Sequence, residues 1–302
     1  MASPPKRPHI LAIAIPASLT FDVPHLREKT FRIGQIGRAA AIFRVDEIII
    51  YPDVPNVDQK PDTTLIQTIL SYIETPQYLR KRLFKILPEL QYAGTLPPLR
   101  TPHHPTASKI SNLRIGEYRE GVVLSNASEG SLVDIGVEQP VLVSRTNLKI
   151  NSRVTLKITK VEKRPEAELA DRTQIKTYWG YRTTVSDVAF GQMLKRRQFN
   201  LVIATSKKGK PITLVLDVLR EKWKSSQKTV IAFGAPTQGL IEIAAREKTR
   251  LDEVADFVVN AIPNQATETV RTEEAVYATL SILNILDEKL NYDVRKSTQG
   301  VD

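Results

Sequence analysis

The sequence predicts an α/β protein with a parallel sheet, interrupted by a small all-β barrel. Short apolar runs alternate with amphipathic stretches in the first third of the chain, and this alternation resumes after residue 200. Between them, residues 110–184 contain only short β-rich runs. Alternating strands and helices are typical of parallel sheets, whereas closely spaced short strands are typical of barrels. We therefore expect one discontinuous α/β domain, residues 1–109 and 185–302, and an inserted barrel, residues 110–184.

The first α/β segment has the pattern of a strand–helix–strand unit. An apolar strand is predicted at Ile10 to Ile15, a helix with one apolar face at Leu26 to Phe43, and a second strand at Glu47 to Tyr51. Two further helices are predicted at Leu65 to Ile73 and at Gln77 to Ile86, the latter directly after Pro76.

The middle segment contains five β-rich runs, which favour a five-stranded OB-like barrel. They are Tyr118 to Leu124, Ser131 to Ile135, Pro140 to Val143, Arg153 to Val161 and Tyr178 to Val185. This segment also carries aromatic residues that either stack on RNA bases or pack in the core, namely Tyr118, Tyr178, Trp179 and Tyr181.

The last third of the chain alternates again between strand and helix. Strands are predicted at Leu201 to Thr205, Val230 to Phe233 and Phe257 to Asn260. The intervening segments, predicted as helical, are Pro211 to Trp223, Gly239 to Arg246 and Thr272 to Leu286.

The composition of the chain favours some classes of function and excludes others. The 302 residues carry a net charge of +10, which favours a polyanionic partner such as RNA. With no cysteine there is no disulfide, thiolate zinc site or cysteine nucleophile, which suits a cytoplasmic protein. The apolar runs are far shorter than the roughly 18 residues of a membrane span. No third ligand stands at suitable spacing from the neighbouring His103 and His104, so we expect no metal.

Two polar turns follow predicted strands in the last third. The turn Gly234-Ala-Pro-Thr-Gln-Gly239 fits neither the dinucleotide fingerprint nor the phosphate loop, but its glycines allow close approach and positive φ. It is either a ligand loop or a structural turn. Asn260 to Ala275 joins a strand to a helix, with Thr272 as the expected N-cap. Neighbouring loops at the carboxyl ends of parallel strands form the crevice where such sheets bind ligands.

Acidic and basic residues near the second turn have two interpretations each. Glu273 and Glu274 either cap the helix or take part in catalysis. Arg271 either pairs with Glu274 or faces a substrate.

Basic residues cluster at three places: around Arg80, around Arg196, and at Lys207, Lys208 and Lys210. Such clusters are either solvated faces or a track for the RNA backbone. The residues predicted to bind RNA are Arg80, Arg82, Lys85, His103, His104, Lys195, Arg196 and Arg197.

Several separated motifs occur in both α/β segments. They are Phe233-Gly-Ala-Pro-Thr-Gln-Gly-Leu240, Asn260-Ala-Ile-Pro-Asn-Gln-Ala-Thr-Glu-Thr-Val-Arg-Thr-Glu-Glu-Ala275, Gly34-Gln-Ile-Gly-Arg-Ala-Ala-Ala-Ile-Phe43, Val45-Asp-Glu-Ile-Ile49, Tyr78-Leu-Arg-Lys-Arg-Leu-Phe84 and Thr101-Pro-His-His-Pro105. Together they closely resemble the motifs of a SPOUT-class RNA methyltransferase family of archaea and eukaryotes. The barrel lies where that family carries an OB-like domain.

The resemblance implies a trefoil-knotted α/β domain, a homodimer, and S-adenosylmethionine bound in the knot largely by main-chain groups. The implied activity is S-adenosylmethionine-dependent methylation of RNA, with ribosomal RNA as the expected substrate and uridine as the candidate nucleotide. The cofactor residues implied are Thr205, Phe233, Gly234, Gly239, Leu240, Asn260, Ile262, Gln265 and Thr267. Arg271, Arg38 and Arg32 are the catalytic candidates.

The sequence departs from the family pattern where relatives commonly carry glycine, at Asn264 and Ala266. Asparagine tolerates the left-handed backbone region, but alanine does so at a cost. A strained loop at Ala266 would favour the alternative function, a noncatalytic RNA-binding factor of ribosome assembly that keeps the knotted fold.

Overall fold

The computed structural model describes residues 4–162, 164–196 and 199–287, which divide into two compact units. The first contains residues 4–6, Val23–Ile50 and Asp58–Val185. The second contains Arg7–Asp22, Tyr51–Val57 and residues 186–287. Each unit is therefore built from several separate stretches of the chain.

The strands and α-helices are labelled in chain order. They are β1 (Ile10–Pro16), α1 (Leu26–Ile42), β2 (Glu47–Tyr51), α2 (Lys60–Glu74), α3 (Gln77–Leu83), β3 (Tyr118–Ala127), β4 (Gly130–Asp134), β5 (Val141–Ser144), β6 (Arg153–Lys160), β7 (Glu166–Leu169), β8 (Arg182–Val185), α4 (Phe190–Arg196), β9 (Leu201–Pro211), α5 (Leu216–Ser225), β10 (Lys228–Ala232), α6 (Leu240–Arg246), α7 (Leu251–Val254), β11 (Phe257–Asn260) and α8 (Thr272–Asn284).

The second unit contains parallel strands in the order β11, β9, β10, β1. The alanines Ala14, Ala232 and Ala204 lie in register across β1, β10 and β9. Most of β1 and β10 and the first four residues of β9 are buried, as expected for parallel strands covered on both faces. The predicted α/β fold with a parallel sheet is confirmed.

The first unit contains α1, α2 and α3, the parallel pair β2 and β8, and a closed five-stranded barrel. The barrel order is β3, β4, β5, β7, β6. Its interior is packed with branched aliphatic side chains from β3, β4, β5 and β6, and Ala167 of β7 completes it; the branched residues include Val123, Val133, Val141, Leu156 and Ile158. The predicted all-β barrel is therefore present.

One predicted barrel strand was wrong. The fifth strand is β7, whereas Arg182–Val185 of the predicted run pairs in parallel with β2. The β7 sequence, Glu-Ala-Glu-Leu, is short and half charged, with one buried residue, so it gives little strand signal. The Thr-Thr-Val run of β8 has high strand propensity, but propensity does not select its partner.

Three predicted helices differ clearly from the structure at their ends. The helix predicted at Gln77 to Ile86 is α3, which ends at Leu83. The helix predicted from Leu65 begins at Lys60, because Pro61 is accommodated in its first turn. The segment predicted as helical from Pro211 is different: β9 continues to Pro211, and α5 begins at Leu216. The helix predicted at Leu26 to Phe43 is confirmed as α1. None of the helices in the described ranges has the length and apolarity needed to span a bilayer.

A buried ionic network joins the barrel to α2 within the first unit. Arg153 of β6 donates from Nε to Glu120 and from Nη1 to Glu74, each at 2.6 Å. Glu120 also accepts from Thr155, Arg172 and Trp179. Burial raises the pKa of Glu74, but Arg153 and His103 lower it by more, so the pKa falls to about 2. Both carboxylates are therefore charged and depend on Arg153.

We predict that Arg153→Met lowers the free energy of unfolding by about 3 to 5 kcal/mol, because two buried carboxylates lose their shared cation. Arg164→Met is the matched control, since Arg164 also lies 2.6 Å from a carboxylate, Glu129, but both partners are more than half exposed. The control should cost less than about 1 kcal/mol. Urea denaturation measures both, and equal costs would contradict the importance of the network.

Candidate functional site

A cavity of about 290 Å³ lies in the second unit, beside residues 205–208 of β9 and the carboxyl ends of β10 and β11. These strands are neighbours in the parallel sheet, so the segments that follow their paired residues meet at one edge. The lining comes from residues 205–208, the turn Phe233 to Gly239, the loop after Asn260, and α8. The cavity is close to the lower end of the usual size range for small-molecule sites.

The turn after β10 is fixed by hydrogen bonds on both sides of Gly234. Tyr51 Oη donates to the Phe233 carbonyl at 2.6 Å, and Ala235 N–H donates to the Gln238 carbonyl at 2.8 Å. A Cβ on Gly234 would lie 3.0 Å from that same carbonyl oxygen. The turn therefore folds back on its own backbone, and Gly234 provides the space.

Of the two properties predicted for the glycines of this turn, close approach and positive φ, the structure contradicts the second. The φ of Gly239 is −77°, and Gly234 also lacks a positive φ, so neither glycine is needed for the left-handed region. A Cβ on Gly239 would contact Glu242 Oε2, at the end of a flexible side chain, and no backbone atom within 4 Å. Because Gly239 has no side chain, it leaves the backbone at the cavity wall open to close approach by a ligand.

Strand β9 leaves its ladder with β11 beside the cavity. Val258 pairs with Ala204, but the next residue, Val259, pairs with Lys210. Residues 205–209 of β9 therefore form an excursion, which we call the β9 excursion. Gly209 closes it, because a Cβ there would lie 2.6 Å from the Val259 carbonyl carbon. The excursion brings Thr205 to Lys208 to the cavity wall.

Two lysines of the β9 excursion bind groups on the other loops. Lys208 Nζ lies 2.9 Å from Glu242 Oε1 on α6, and Lys207 Nζ donates to the Glu268 carbonyl at 2.9 Å. The hydrogen bond from Lys208 lowers the pKa of Glu242. Because Lys208 and Glu242 are 71% and 46% exposed, this pair marks the solvent side of the cavity.

The loop after β11 is organised by its own amide side chains. Asn260 Nδ2 donates to the Lys207 carbonyl at 3.0 Å, and its Oδ1 accepts from Ile262 N–H at 2.9 Å. Gln265 Nε2 donates to the carbonyls of Thr267 and Glu268. These side chains hold peptide groups in place, so Asn260 and Gln265 shape the loop in addition to lining the cavity.

The two departures from the family pattern cause no strain at the alanine. Asn264 has φ of +60°, which asparagine tolerates, whereas Ala266 does not have a positive φ. The feature that favoured a noncatalytic protein is therefore not found.

Helix α8 closes the cavity and corrects two predictions. Its N-cap is Arg271, whose N–H donates to the Glu274 carboxylate at 2.9 Å, so Arg271 and Glu274 interact through the backbone. Thr272 is instead the first helical residue, and its Oγ1 donates to the Gly234 carbonyl at 3.0 Å. Thr272 thus ties α8 to the turn after β10.

Most of the predicted cofactor residues come together at this cavity. Those that line it are Thr205, Phe233, Gly234, Gly239, Asn260, Ile262 and Gln265. Leu240 is buried at the start of α6, and Thr267 is exposed, and neither lines the cavity.

The three catalytic candidates are dispersed along the chain. Arg271 is exposed, and it lies between two lining residues, Val270 and Thr272, without lining the cavity itself. Arg38 and Arg32 are half-buried on α1 in the first unit, where Arg38 Nη1 donates to the carbonyls of Pro98 and Leu99.

Several residues predicted to bind RNA have structural contacts in the first unit. His103 is fully buried against Glu74, and His104 Nε2 lies 2.6 Å from the Glu74 carbonyl oxygen. Burial lowers the pKa of His104 to about 4. Arg80 donates to the carbonyls of Ile73 and Thr75. These contacts give the three residues a part in packing.

The remaining RNA candidates are more accessible. Arg82 is half exposed and paired with Asp134, and Lys85 is exposed. Lys195 and Arg196 are exposed at the end of α4. Arg197 lies outside the described residues.

Of the aromatic residues weighed for stacking, two are core residues. Tyr178 and Tyr181 are 2% exposed, and their hydroxyls donate to the carbonyls of Val45 and Leu70. Tyr118 and Trp179 are half-buried, and Trp179 Nε1 donates to Glu120.

Sequence reasoning did not assign three features of the cavity: the β9 excursion, Glu242 and Thr279. An isolated glycine within a strand pattern often marks a bulge, so Gly209 carried a usable signal for the excursion. No sequence signal distinguished Glu242 or Thr279 from other residues of amphipathic helices. Within the described part of the chain, the acidic and histidine side chains form no group of three or more that could hold a metal ion.

Comparison with known proteins agrees with this architecture. A family described as "Putative RNA methyltransferase" matches residues 10–283. A protein of Halobacterium salinarum is 34% identical over 293 residues, which cover 91% of this chain and 99% of the relative. A human protein named 28S rRNA (uridine-N(3))-methyltransferase is 31% identical over 310 residues, which cover 92% of this chain and 78% of the relative. The mouse protein of the same name is 33% identical, with 92% and 76% covered.

The matched region includes both units, the barrel and every loop of the cavity. The family predicted from the sequence motifs is thereby confirmed, and the chain belongs to this family of RNA methyltransferases.

Proposed function

We propose that this protein transfers a methyl group from S-adenosylmethionine to ribosomal RNA, and that the acceptor is N3 of a uridine. The observation that carries this proposal is the cavity between the β9 excursion and the loops after β10 and β11, in a chain whose human relative is named for that reaction. Methyl transfer to RNA needs a site for the donor beside a protein surface that binds RNA. The net charge of +10 favours RNA binding.

The residues of the cavity fit S-adenosylmethionine. Small residues at Gly234, Ala235, Gly239 and Ala261 leave peptide groups accessible to a flat ring. The exposed Lys208 and Glu242 supply both charges that the zwitterionic amino-acid end of the donor would need. Thr279 adds a buried hydroxyl oxygen with no hydrogen-bond partner. The cavity thus offers apolar, charged and hydroxyl groups, and S-adenosylmethionine has chemical groups that match each of them.

S-adenosylmethionine, when bound, supplies a methyl group on a positively charged sulfur. The donor would give that methyl group to uridine N3 while its sulfur keeps the C–S bonding pair, and the N3 proton would pass to solvent water. The lowered pKa of Glu242 makes its carboxylate a weak base, so this side chain is poorly suited to remove that proton. We therefore assign most of the catalysis to positioning. Arg271, which caps α8 beside the cavity, is the first candidate, and Arg38 and Arg32 stay proposals.

The finer features implied by the family resemblance are part of the proposal. We infer that residues 260–271 form the trefoil knot around the donor, that the working enzyme is a homodimer, and that it acts in the cytoplasm. The hydrogen bond from Thr272 to the Gly234 carbonyl supports a tightly packed knot, because it joins the end of the loop after β11 directly to the turn after β10.

The function is tested by incubating the protein with methyl-labelled S-adenosylmethionine and ribosomal RNA, then mapping the label by mass spectrometry. We expect N3-methyluridine at a defined position. Label on a ribose hydroxyl would contradict the proposed acceptor. No transfer to ribosomal RNA, with transfer to another RNA, would contradict the proposed substrate.

We predict that Gly239→Val weakens S-adenosylmethionine binding by at least about tenfold, because a branched side chain would occupy space in the cavity that glycine leaves open. The fold should tolerate the change, since an added Cβ contacts the end of the Glu242 side chain. Gly94→Val is the matched control, because a Cβ there meets nothing within 4 Å. Titration calorimetry measures both, and equal affinities for the two variants would remove Gly239 from the donor site.

We predict that Lys81→Gln with Lys85→Gln weakens RNA binding and reduces the slope of log affinity against log salt by about 1.4 to 1.8, as two lost phosphate contacts require. Both lysines are exposed on or directly after α3. The matched control is Lys224→Gln with Arg250→Gln, which removes two cations already paired with carboxylates. Fluorescence anisotropy across a salt series measures the slopes. Equal slopes in the two double variants would place the RNA elsewhere.

A further inference from the structure

One face of α8 lines the cavity along two turns. Thr272, Ala275 and Thr279 all contribute to the lining, at the spacing of three to four residues that places side chains on one side of a helix. Thr272 binds the Gly234 carbonyl at the helix start. Thr279 lies seven residues further on, or about 10 Å along the axis. This face therefore offers a second polar group at a distance from the turn after β10.

The hydroxyl of Thr279 is unusual for a threonine inside a helix. Thr279 is 0% exposed, and its Oγ1 has no hydrogen-bond partner among the residues that the structure describes. A helical threonine usually donates to the carbonyl three or four residues earlier. Thr30 does so with Leu26 at 2.8 Å. Among the described residues, Thr279 is thus a buried polar group with an unused hydroxyl.

The charged lining residues of the cavity and its buried lining residues differ in their exposure to solvent. The charged pair of Lys208 and Glu242 lies on the solvent side, where both side chains are substantially exposed. Thr279 is buried, and Phe233 and Ala275, which also line the cavity, are apolar. A single uncharged hydroxyl in buried surroundings suits a neutral heteroaromatic ring, because burying a charged group there would be costly.

We propose that Thr279 hydrogen-bonds the adenosine half of the methyl donor and positions it, leaving the amino-acid half toward Lys208 and Glu242. This inference rests on the proposed function, since it takes S-adenosylmethionine as the ligand. It assigns to Thr279 a role in binding, while the stability of the free protein does not depend on its hydroxyl.

The test compares Thr279→Val, which keeps the shape and removes the hydroxyl, with Thr279→Ser, which keeps the hydroxyl. Calorimetry with S-adenosylmethionine and with adenosine should show the dissociation constants of Thr279→Val raised by roughly three- to tenfold for both ligands. Thr279→Ser should bind more tightly than Thr279→Val. In the absence of ligand, Thr279→Val should have a melting temperature equal to or above that of the wild type, because an unpaired buried hydroxyl is removed.

Thr30→Val is the matched control, because Thr30 is also buried in a helix but its hydroxyl is already bonded. It should lower the melting temperature and leave both affinities unchanged. Unchanged ligand affinity in Thr279→Val would overturn the inference, as would an effect on S-adenosylmethionine without one on adenosine. If wild-type protein binds neither ligand at millimolar concentration, the proposed function itself fails, which distinguishes the two cases.

Discussion

The parallel placement of β9 between β10 and β11 is the constraint on which the site depends. Because the three strands run in the same direction, residues 205–208 of β9 and the loops after β10 and β11 meet at one edge and enclose a cavity. The β9 excursion then adds a wall that a regular strand would not supply. Gly209 is essential to that geometry, since its backbone packs directly against Val259.

Side chains around the cavity mainly hold loops to one another. Asn260 joins its own loop to the β9 excursion, and Thr272 joins α8 to the turn after β10. Such cross-links fix peptide groups before a ligand arrives, which lowers the entropy cost of binding. Side-chain cross-links also stabilise the first unit, where Arg153 joins α2 to the barrel through two buried carboxylates. His103 belongs to that network, so its burial follows from packing.

The sequence predicted the α/β class, the barrel, the family, and seven cofactor residues that the structure brings to one cavity. Apolar periodicity and turn composition are local signals, and these features depend on them. Strand partners depend on distant residues, so β7 was missed and β8 was assigned to the barrel. The burial of His103 and the lack of a hydrogen-bond partner for the Thr279 hydroxyl among the described residues likewise depend on tertiary packing. The sequence neighbours of these residues do not reveal that packing.

We expect the β9 excursion and the loops after β10 and β11 to enclose a methyl donor. A crystal structure of the protein grown with S-adenosylhomocysteine tests it most directly. We expect density for the nucleoside between the turn from Phe233 to Gly239 and the loop after Asn260. Density for this ligand at another place, or a cavity that stays without it at millimolar concentration, would contradict the account.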